Sequence, residues 1–152
     1  MGTTEALAKQ IAQKLSIPSA DVYNVAEVSV GQVMDYDLLL LGSSTWGAGD
    51  LQDDWYSFVD QLKNKDLTGK RVALFGCGDS ASYPDTFCDA LSVLYDDSAG
   101  TGCAFVGAYV PEEYDVTDSA VCRDGKFIGL AIDDVNESDK TEDRIDTWIA
   151  NF

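Results

Sequence analysis

The sequence has no histidine, and only 10 of its 152 residues are basic against 27 acidic ones. Without imidazole, the commonest general base and most transition-metal sites have nothing to be built from. The formal charge of -17 argues against nucleic acid as a partner, because affinity there comes mainly from neutralising phosphates. It favours a basic protein partner, steered electrostatically and sensitive to salt, although acid dispersed along a chain is also what a solvated surface carries. The four cysteines, Cys77, Cys88, Cys103 and Cys122, are too widely spaced for a CxxC pair, and three lie in or beside apolar stretches. Buried free thiols in a reducing compartment are expected. No apolar run approaches membrane-spanning length, the N-terminus has no signal-peptide pattern, and there is no repeat, linker or low-complexity tract. What these absences leave is a cytoplasmic protein of one domain over residues 1–152, with 45% hydrophobic residues to fill a core.

What is present centres on Leu38-Leu39-Leu40-Leu41-Gly42-Ser43-Ser44-Thr45-Trp46-Gly47-Ala48-Gly49-Asp50. An unbroken apolar run predicts a strand covered on both faces, as in a parallel sheet. It opens into a small-residue turn with one tryptophan, the way a buried strand delivers its end to a ligand crevice. Trp46 is equally read, from this stretch alone, as a loop anchor packed on the nearest helix.

Around that stretch, helix and strand patterns alternate. Leu7, Ile11 and Leu15 mark one face of a first helix that stops before Pro18, with a threonine before Glu5 suited to its N-cap. Val22-Tyr23-Asn24-Val25 reads as a short strand, and a helical turn near Gln32 to Met34 precedes the leucines. Trp55, Phe58, Val59 and Leu62 fall at i, i+3, i+4 and i+7. Val72-Ala73-Leu74-Phe75 is a second buried strand opening into Gly76-Cys77-Gly78-Asp79-Ser80-Ala81-Ser82-Tyr83-Pro84. Phe87, Ala90, Leu91 and Leu94 repeat the helical spacing, and 103–108 is the next strand. From 110 to about 126 the chain is polar and patternless. Strand character resumes over Phe127-Ile128-Gly129-Leu130-Ala131-Ile132, and Ile145, Trp148, Ile149 and Phe152 face inward on a last helix that Thr141 is expected to cap. Such alternation predicts an α/β fold with a parallel sheet between two helical layers, a three-layer α/β/α sandwich. Two strands that each open into a loop of glycine plus one aromatic, Trp46 and Tyr83, could clamp a planar heterocycle between them.

On these motifs the sequence resembles a long-chain flavodoxin. Gly2-Thr3-Thr4-Glu5 is similar to the end of that family's phosphate loop. Ser44-Thr45-Trp46-Gly47 with Leu51-Gln52-Asp53-Asp54-Trp55 resembles its first isoalloxazine loop, and Gly76-Cys77-Gly78-Asp79 with Tyr83 and Thr86-Phe87 resembles the second. Tyr114-Asp115, Gly125-Lys126-Phe127-Ile128-Gly129-Leu130 and Asp143-Arg144-Ile145 match the segment inserted in long-chain members. The resemblance spans essentially the whole chain, and the pairing of the Thr-Trp loop with the Gly-x-Gly-Asp loop is its most specific part.

The resemblance implies a sheet of order 2-1-3-4-5 and a non-covalent FMN carrier. Such a carrier shuttles single electrons between redox enzymes through the flavin semiquinone/hydroquinone couple, and is not itself an enzyme. It implies that Thr4, Thr3 and the backbone of Gly2 hold the phosphate, at a helix N-terminus that favours anions. Trp46 and Tyr83 would flank the ring, Tyr83 as the coplanar stacker, and Gly47 would turn its carbonyl toward flavin N5. Ser44, Thr45, Cys77, Gly78, Asp79 and Thr86 complete the implied cofactor-binding set, with no catalytic residue and no metal. Redox partner proteins with basic docking surfaces are implied, for a monomer that binds neither nucleic acid nor membrane. Cys77 departs from a frequent threonine, and Pro84 stiffens the second loop. The family's first hydrophobic strand and the front of its phosphate loop would precede Met1. A start assigned too late is the favoured account, ahead of truncation or of a sheet that closes without that strand. Two other functions stay open: an FMN-dependent NAD(P)H or quinone reductase of the same fold, and a non-flavin interaction domain, for which Thr3 and Thr4 are only helix caps.

Overall fold

A computed structural model of the chain describes residues 2–46, 50–51, 54–78, 81, 87–108, 122–123, 126–133 and 136–150. Its centre is a strand, β3 (Arg71–Cys77), buried from Val72 to Cys77. Burial on both faces suits a run of apolar residues with no polar alternation. On one side β3 pairs in parallel with β1 (Leu38–Trp46), in a register running from Leu38↔Arg71 to Ser44↔Cys77. On the other side its first half pairs with β4 (Ala104–Val106) and its second half with a later strand (Leu130–Ile132), both in parallel.

The four leucines of β1 are not equally covered: Leu39 and Leu41 are buried, Leu38 and Leu40 half-buried. The expectation of full cover on both faces therefore holds for β3 and only in part for β1. Along 38–44, β1 has a strand neighbour on one side only among the described residues. At its C-terminal end it gains a second, antiparallel neighbour, β2 (Asp50–Leu51), through Thr45↔Leu51 and Trp46↔Asp50.

The helices fall into two groups. Helix α1 (Gly2–Lys14) is bridged to the last helix (Thr141–Ile149) by Lys14, whose Nζ lies 2.8 Å from Asp146 and 3.3 Å from Glu142. Helices α2 (Val30–Val33), α3 (Asp54–Leu62) and α4 (Ala90–Ala99) pack on one another. Of the faces read from spacing, Leu7 and Ile11 on α1, Trp55, Phe58, Val59 and Leu62 on α3, and Ala90, Leu91 and Leu94 on α4 are buried; Leu15, just past α1, and Ile149 are half-buried, and Phe87 is buried in the turn before α4. With the parallel sheet between the two groups, this is the expected three-layer α/β/α arrangement.

Four expectations need correction. The segment 22–25 is not a strand. Asn24 forms a turn instead, its side chain accepting from Ala26 N and its carbonyl from Glu27 N, each at 2.9 Å. Tyr23 is held by its hydroxyl, 2.9 Å from that of Tyr36, which in turn donates to Asp21. A short segment with no ladder neighbour among the described residues yields to the local bonds that asparagine offers. Second, the apolar run 127–132 is two strands. Lys126–Phe127 (β6) pairs antiparallel with Cys122–Arg123 (β5), and only Leu130–Ile132 (β7) joins the main sheet. Gly129 makes the bend possible, since a Cβ there would stand 2.3 Å from Leu74 O. Third, Thr141 is the first residue of α5 (Thr141–Ile149), not its cap, because a 3-10 turn, Ser138–Lys140, runs straight into the helix. Fourth, α1 begins at Gly2, which places Thr4 inside the first turn and removes its role as an N-cap.

Two side-chain clusters fasten the ends of this frame. Arg123 on β5 reaches both carboxylate oxygens of Asp96 on α4, at 2.8 and 3.2 Å, and its guanidinium lies 4.9 Å from the centre of the Tyr95 ring. That ring is stacked on Phe105 of β4 at 4.2 Å, so the β5–β6 pair is tied to both α4 and the sheet. Ahead of α5, Glu137 accepts from Lys140 at 2.8 Å and from Arg144 at 3.1 Å. Burial pushes the Glu137 carboxyl up, but the hydrogen bonds from Lys140 and Arg144 outweigh it and hold the group below its ordinary value.

Candidate functional site

Three parallel strands end side by side. The β1–β3 register puts Ser44 beside Cys77, and the β3–β7 register puts Cys77 beside Ile132. Gly78 N continues the row with a hydrogen bond to Ile132 O at 2.9 Å. The two glycine loops therefore leave the sheet from neighbouring positions at its carboxyl end, where open α/β sheets bind their ligands. Of the residues singled out in the sequence, Ser44, Thr45, Trp46, Cys77 and Gly78 are brought to this end. Gly47, Asp79, Tyr83 and Thr86 lie outside the described residues, as do 109–121, including Tyr114 and Asp115, and Phe152 at the end of the chain.

The residues around the end of β3 are close-packed. Cys77 and Cys88 are both buried, and Gly78 backs so tightly onto Phe87 and Cys88 that a Cβ would stand 2.9 Å from the phenyl ring. Cys88 has φ +55 and its thiol lies 3.9 Å from Gly76 O. Burial pushes that thiol up, and the nearness of Cys77 and Asp133 adds to the effect. It stays protonated and serves as packing rather than as a nucleophile.

Sequence reasoning missed the end of β7. Asp133 follows Ile132, is fully buried, and its carboxylate accepts from Asn136 N at 3.0 Å and Asn136 Nδ2 at 3.1 Å. The Asp133 carboxylate accepts from the backbone three residues on, a local side-chain closure that the spacing of Asp133 and Asn136 allows.

Gly2, Thr3 and Thr4 occupy the first turn of α1, which packs on β1 and β3. Thr4 Oγ1 is buried and has no hydrogen-bond partner among the described residues. A buried hydroxyl left unpaired is costly, so such an atom points to a partner beyond the described residues. At this position the free N–H groups of a helix start and the positive end of its dipole favour an anion. A hydroxyl donor within such a turn has the chemistry of a phosphate-binding group. Among the described residues, no group of three or more His, Cys, Asp or Glu could hold a metal ion.

Comparison with known proteins gives the family. The family model for flavodoxin matches residues 1–148. The chain is 42% identical over 153 residues to flavodoxin 1 of Azotobacter vinelandii, with 98% of this chain and 88% of that protein covered. It is 39% identical over 151 residues to a Nostoc flavodoxin, covering 99% and 89%. The crystal structure of Fusobacterium nucleatum flavodoxin bound to flavin mononucleotide superposes with a TM-score of 0.87 at 30% identity, over 97% of this chain and 88% of that one. The α/β sandwich is a flavodoxin-like fold, and the chain belongs to the flavodoxin family.

Proposed function

We propose that the chain binds FMN at the carboxyl end of its sheet and carries single electrons between redox partner proteins, without being an enzyme. The observation that carries this reading is the buried, unpartnered Thr4 hydroxyl in the first turn of α1. It fits the phosphate of FMN, with the backbone N–H groups of the same turn as further donors and Gly2 and Thr3 beside it. FMN, when bound, supplies the one-electron chemistry. The chain's own residues bind, orient and shield.

Ser44, Thr45, Trp46 and Gly47 face one side of the ring in this reading, and Cys77, Gly78, Asp79, Tyr83 and Thr86 the other side and the pyrimidine edge. Trp46 and Tyr83 supply flat apolar faces that exclude water. Gly47 tolerates the two backbone states needed to turn its carbonyl toward or away from the ring. The net charge of -17 disfavours adding negative charge to a bound group and so makes the second electron harder to accept than the first. With no histidine in the chain and the Cys88 thiol protonated, the site offers little for acid-base or nucleophilic work.

The acidic surface supports partners with basic docking faces, reached by steering that weakens as salt is raised. Among the described residues no helix is long and apolar enough to cross a membrane. We place the protein in the cytoplasm as a monomer, with neither nucleic acid nor membrane as a partner. The test is a reconstituted chain of electron transfer. FMN-loaded protein should pass electrons from a separate NADPH-dependent flavoprotein reductase to cytochrome c, and should oxidise no NADPH when the reductase is left out. NADPH oxidation by the loaded protein alone would replace the carrier reading with a reductase.

A further inference from the structure

Strand β7 is three residues long, and among the described residues it pairs with β3 alone. A strand so short is held by what is built at its two ends. Before it, the chain bends at Gly129 against Leu74 O. After it stands Asp133, fully buried. A carboxylate taken out of water is costly unless donors meet its oxygens. Asn136 supplies them: its backbone N–H reaches Oδ1 at 3.0 Å, and its Nδ2 lies 3.1 Å from each oxygen. The backbone repeats the closure, with Glu137 N donating to Asp133 O at 2.9 Å. Arg144 of α5 donates to the Glu137 carboxylate, so the end of β7 is fastened to the last helix.

Asparagine at position 133 would fill the same space. It has one acceptor oxygen, and its own amide would meet Asn136 Nδ2 donor to donor. The second oxygen is therefore what filling the space does not require and what the closure uses.

The closure matters because of the residue before it. The Ile132 carbonyl and the Asp133 N–H belong to one planar peptide, so a fixed Asp133 fixes the direction of that carbonyl. The carbonyl takes the Gly78 N–H at 2.9 Å, and the Ile132 backbone is also hydrogen-bonded to the Cys88 thiol. Gly78 and Cys88 are pressed together in turn: a Cβ on Gly78 would stand 3.0 Å from Cys88 N and 3.1 Å from Cys88 Sγ. The Gly78 backbone thus rests on one peptide of β7, and Asp133 holds that peptide still.

Resting on the FMN reading above, which sets Gly78 at the ring, we propose that Asp133 is a positioning residue for the flavin. Closed onto Asn136, it aims the Ile132 carbonyl and so sets how Gly78 presents its backbone to the ring edge. Asp133 touches no reacting atom and acts through the end of β7.

The test compares Asn136→Ala and Asp133→Asn with Glu137→Gln. Asn136→Ala keeps the Asp133 carboxylate and the backbone N–H that it accepts from, and removes only the two contacts of Nδ2. Asp133→Asn removes the charge and the second acceptor oxygen together. In FMN-free protein, the Gly78 amide should exchange about tenfold faster relative to that of Phe75, in the middle of β3, in both variants. Both should weaken FMN and riboflavin about fivefold and by the same factor, because the ring edge is disturbed and the phosphate is not. Glu137→Gln loosens the neighbouring ties to Lys140 and Arg144. It should lower the denaturation midpoint while leaving the Gly78-to-Phe75 exchange ratio and both flavin Kd values within twofold. If Asp133→Asn does not fold, Asn136→Ala decides by itself. An Asn136→Ala protein with wild-type exchange ratio and Kd overturns the proposal, even where Asp133→Asn is altered, since charge alone would then be acting. So does a Glu137→Gln protein that moves the ratio and the Kd as far as Asn136→Ala does. Wild-type protein that binds no FMN would instead remove the parent reading, a different outcome from wild-type binding with an unchanged Asn136→Ala protein.

Discussion

Replacing Thr4 with valine should make the protein more stable and a worse binder at once. Valine keeps the β-branched shape and has nearly the same helix propensity as threonine. What it removes is Oγ1, which is buried without a hydrogen-bond partner among the described residues. An unsatisfied buried polar atom costs about 1–3 kcal/mol. Its removal should therefore raise the stability of the FMN-free protein by about 1 kcal/mol, seen as an upward shift of about 0.5 M in the urea midpoint. The same hydroxyl, given a phosphate oxygen to donate to, makes a charge-assisted hydrogen bond of about 1.5–3 kcal/mol. Its loss should weaken FMN binding about 10- to 150-fold. Riboflavin has the ring without the phosphate, so its affinity should not change. The assay is a pair of fluorescence titrations, FMN and riboflavin, beside urea unfolding of both apoproteins. If Thr4→Val lowers stability and leaves the FMN-to-riboflavin ratio intact, the hydroxyl is structural and the reasoning about its missing partner fails.

Ser16 sits at φ +57 in the turn that ends α1, with Ile17 N bonded to Ala12 O and Ser16 N to Gln13 O; Ser16→Gly should relieve the left-handed backbone and stabilise by about 0.5–1 kcal/mol in urea unfolding. Gly129→Ala would drive a Cβ to 2.3 Å from Leu74 O at the β6–β7 bend and should cost about 3 kcal/mol, read as a fall in the denaturation midpoint. Glu137, held below its ordinary carboxyl value by Lys140 and Arg144 against the opposing effect of burial, contributes stability above its unfolded pKa of about 4.3 and loses it as pH falls through the folded value. Glu137→Gln should therefore destabilise by about 3 kcal/mol at pH 7, with the gap to wild type narrowing only below about pH 4 in unfolding curves taken at several pH values.

Periodicity served best where one face decides the outcome. Trp55, Phe58, Val59 and Leu62 read as one stripe and are all buried, because a helix on a sheet needs little beyond its own spacing. Val72-Ala73-Leu74-Phe75 read as a fully covered strand and lies at the centre of the sheet. The failures came where a distant residue decides. Val22-Tyr23-Asn24-Val25 has strand composition, but strands are made by neighbours, and Asn24 had turn bonds to offer where no described residue paired. The run from Phe127 to Ile132 looks continuous until Leu74 O, far away in sequence, crowds Gly129. Trp55 read correctly as core, yet nothing in its spacing announced that its N–H would meet Gly42 O. The site was read as two glycine loops with one aromatic each, and most of both loops lies outside the described residues. The register that sets Ser44 beside Cys77, and the orphaned Thr4 oxygen, emerge only once the chain is folded.

The claim that this flavodoxin-family chain holds FMN is tested most directly by titrating the purified apoprotein into free FMN while following flavin fluorescence. The account predicts quenching that saturates at one FMN per chain, with a red-shifted, structured visible absorbance, as expected for a ring stacked between aromatic faces away from water. FMN fluorescence that stays unchanged at micromolar protein, for a chain shown to be folded under the same conditions, would contradict it.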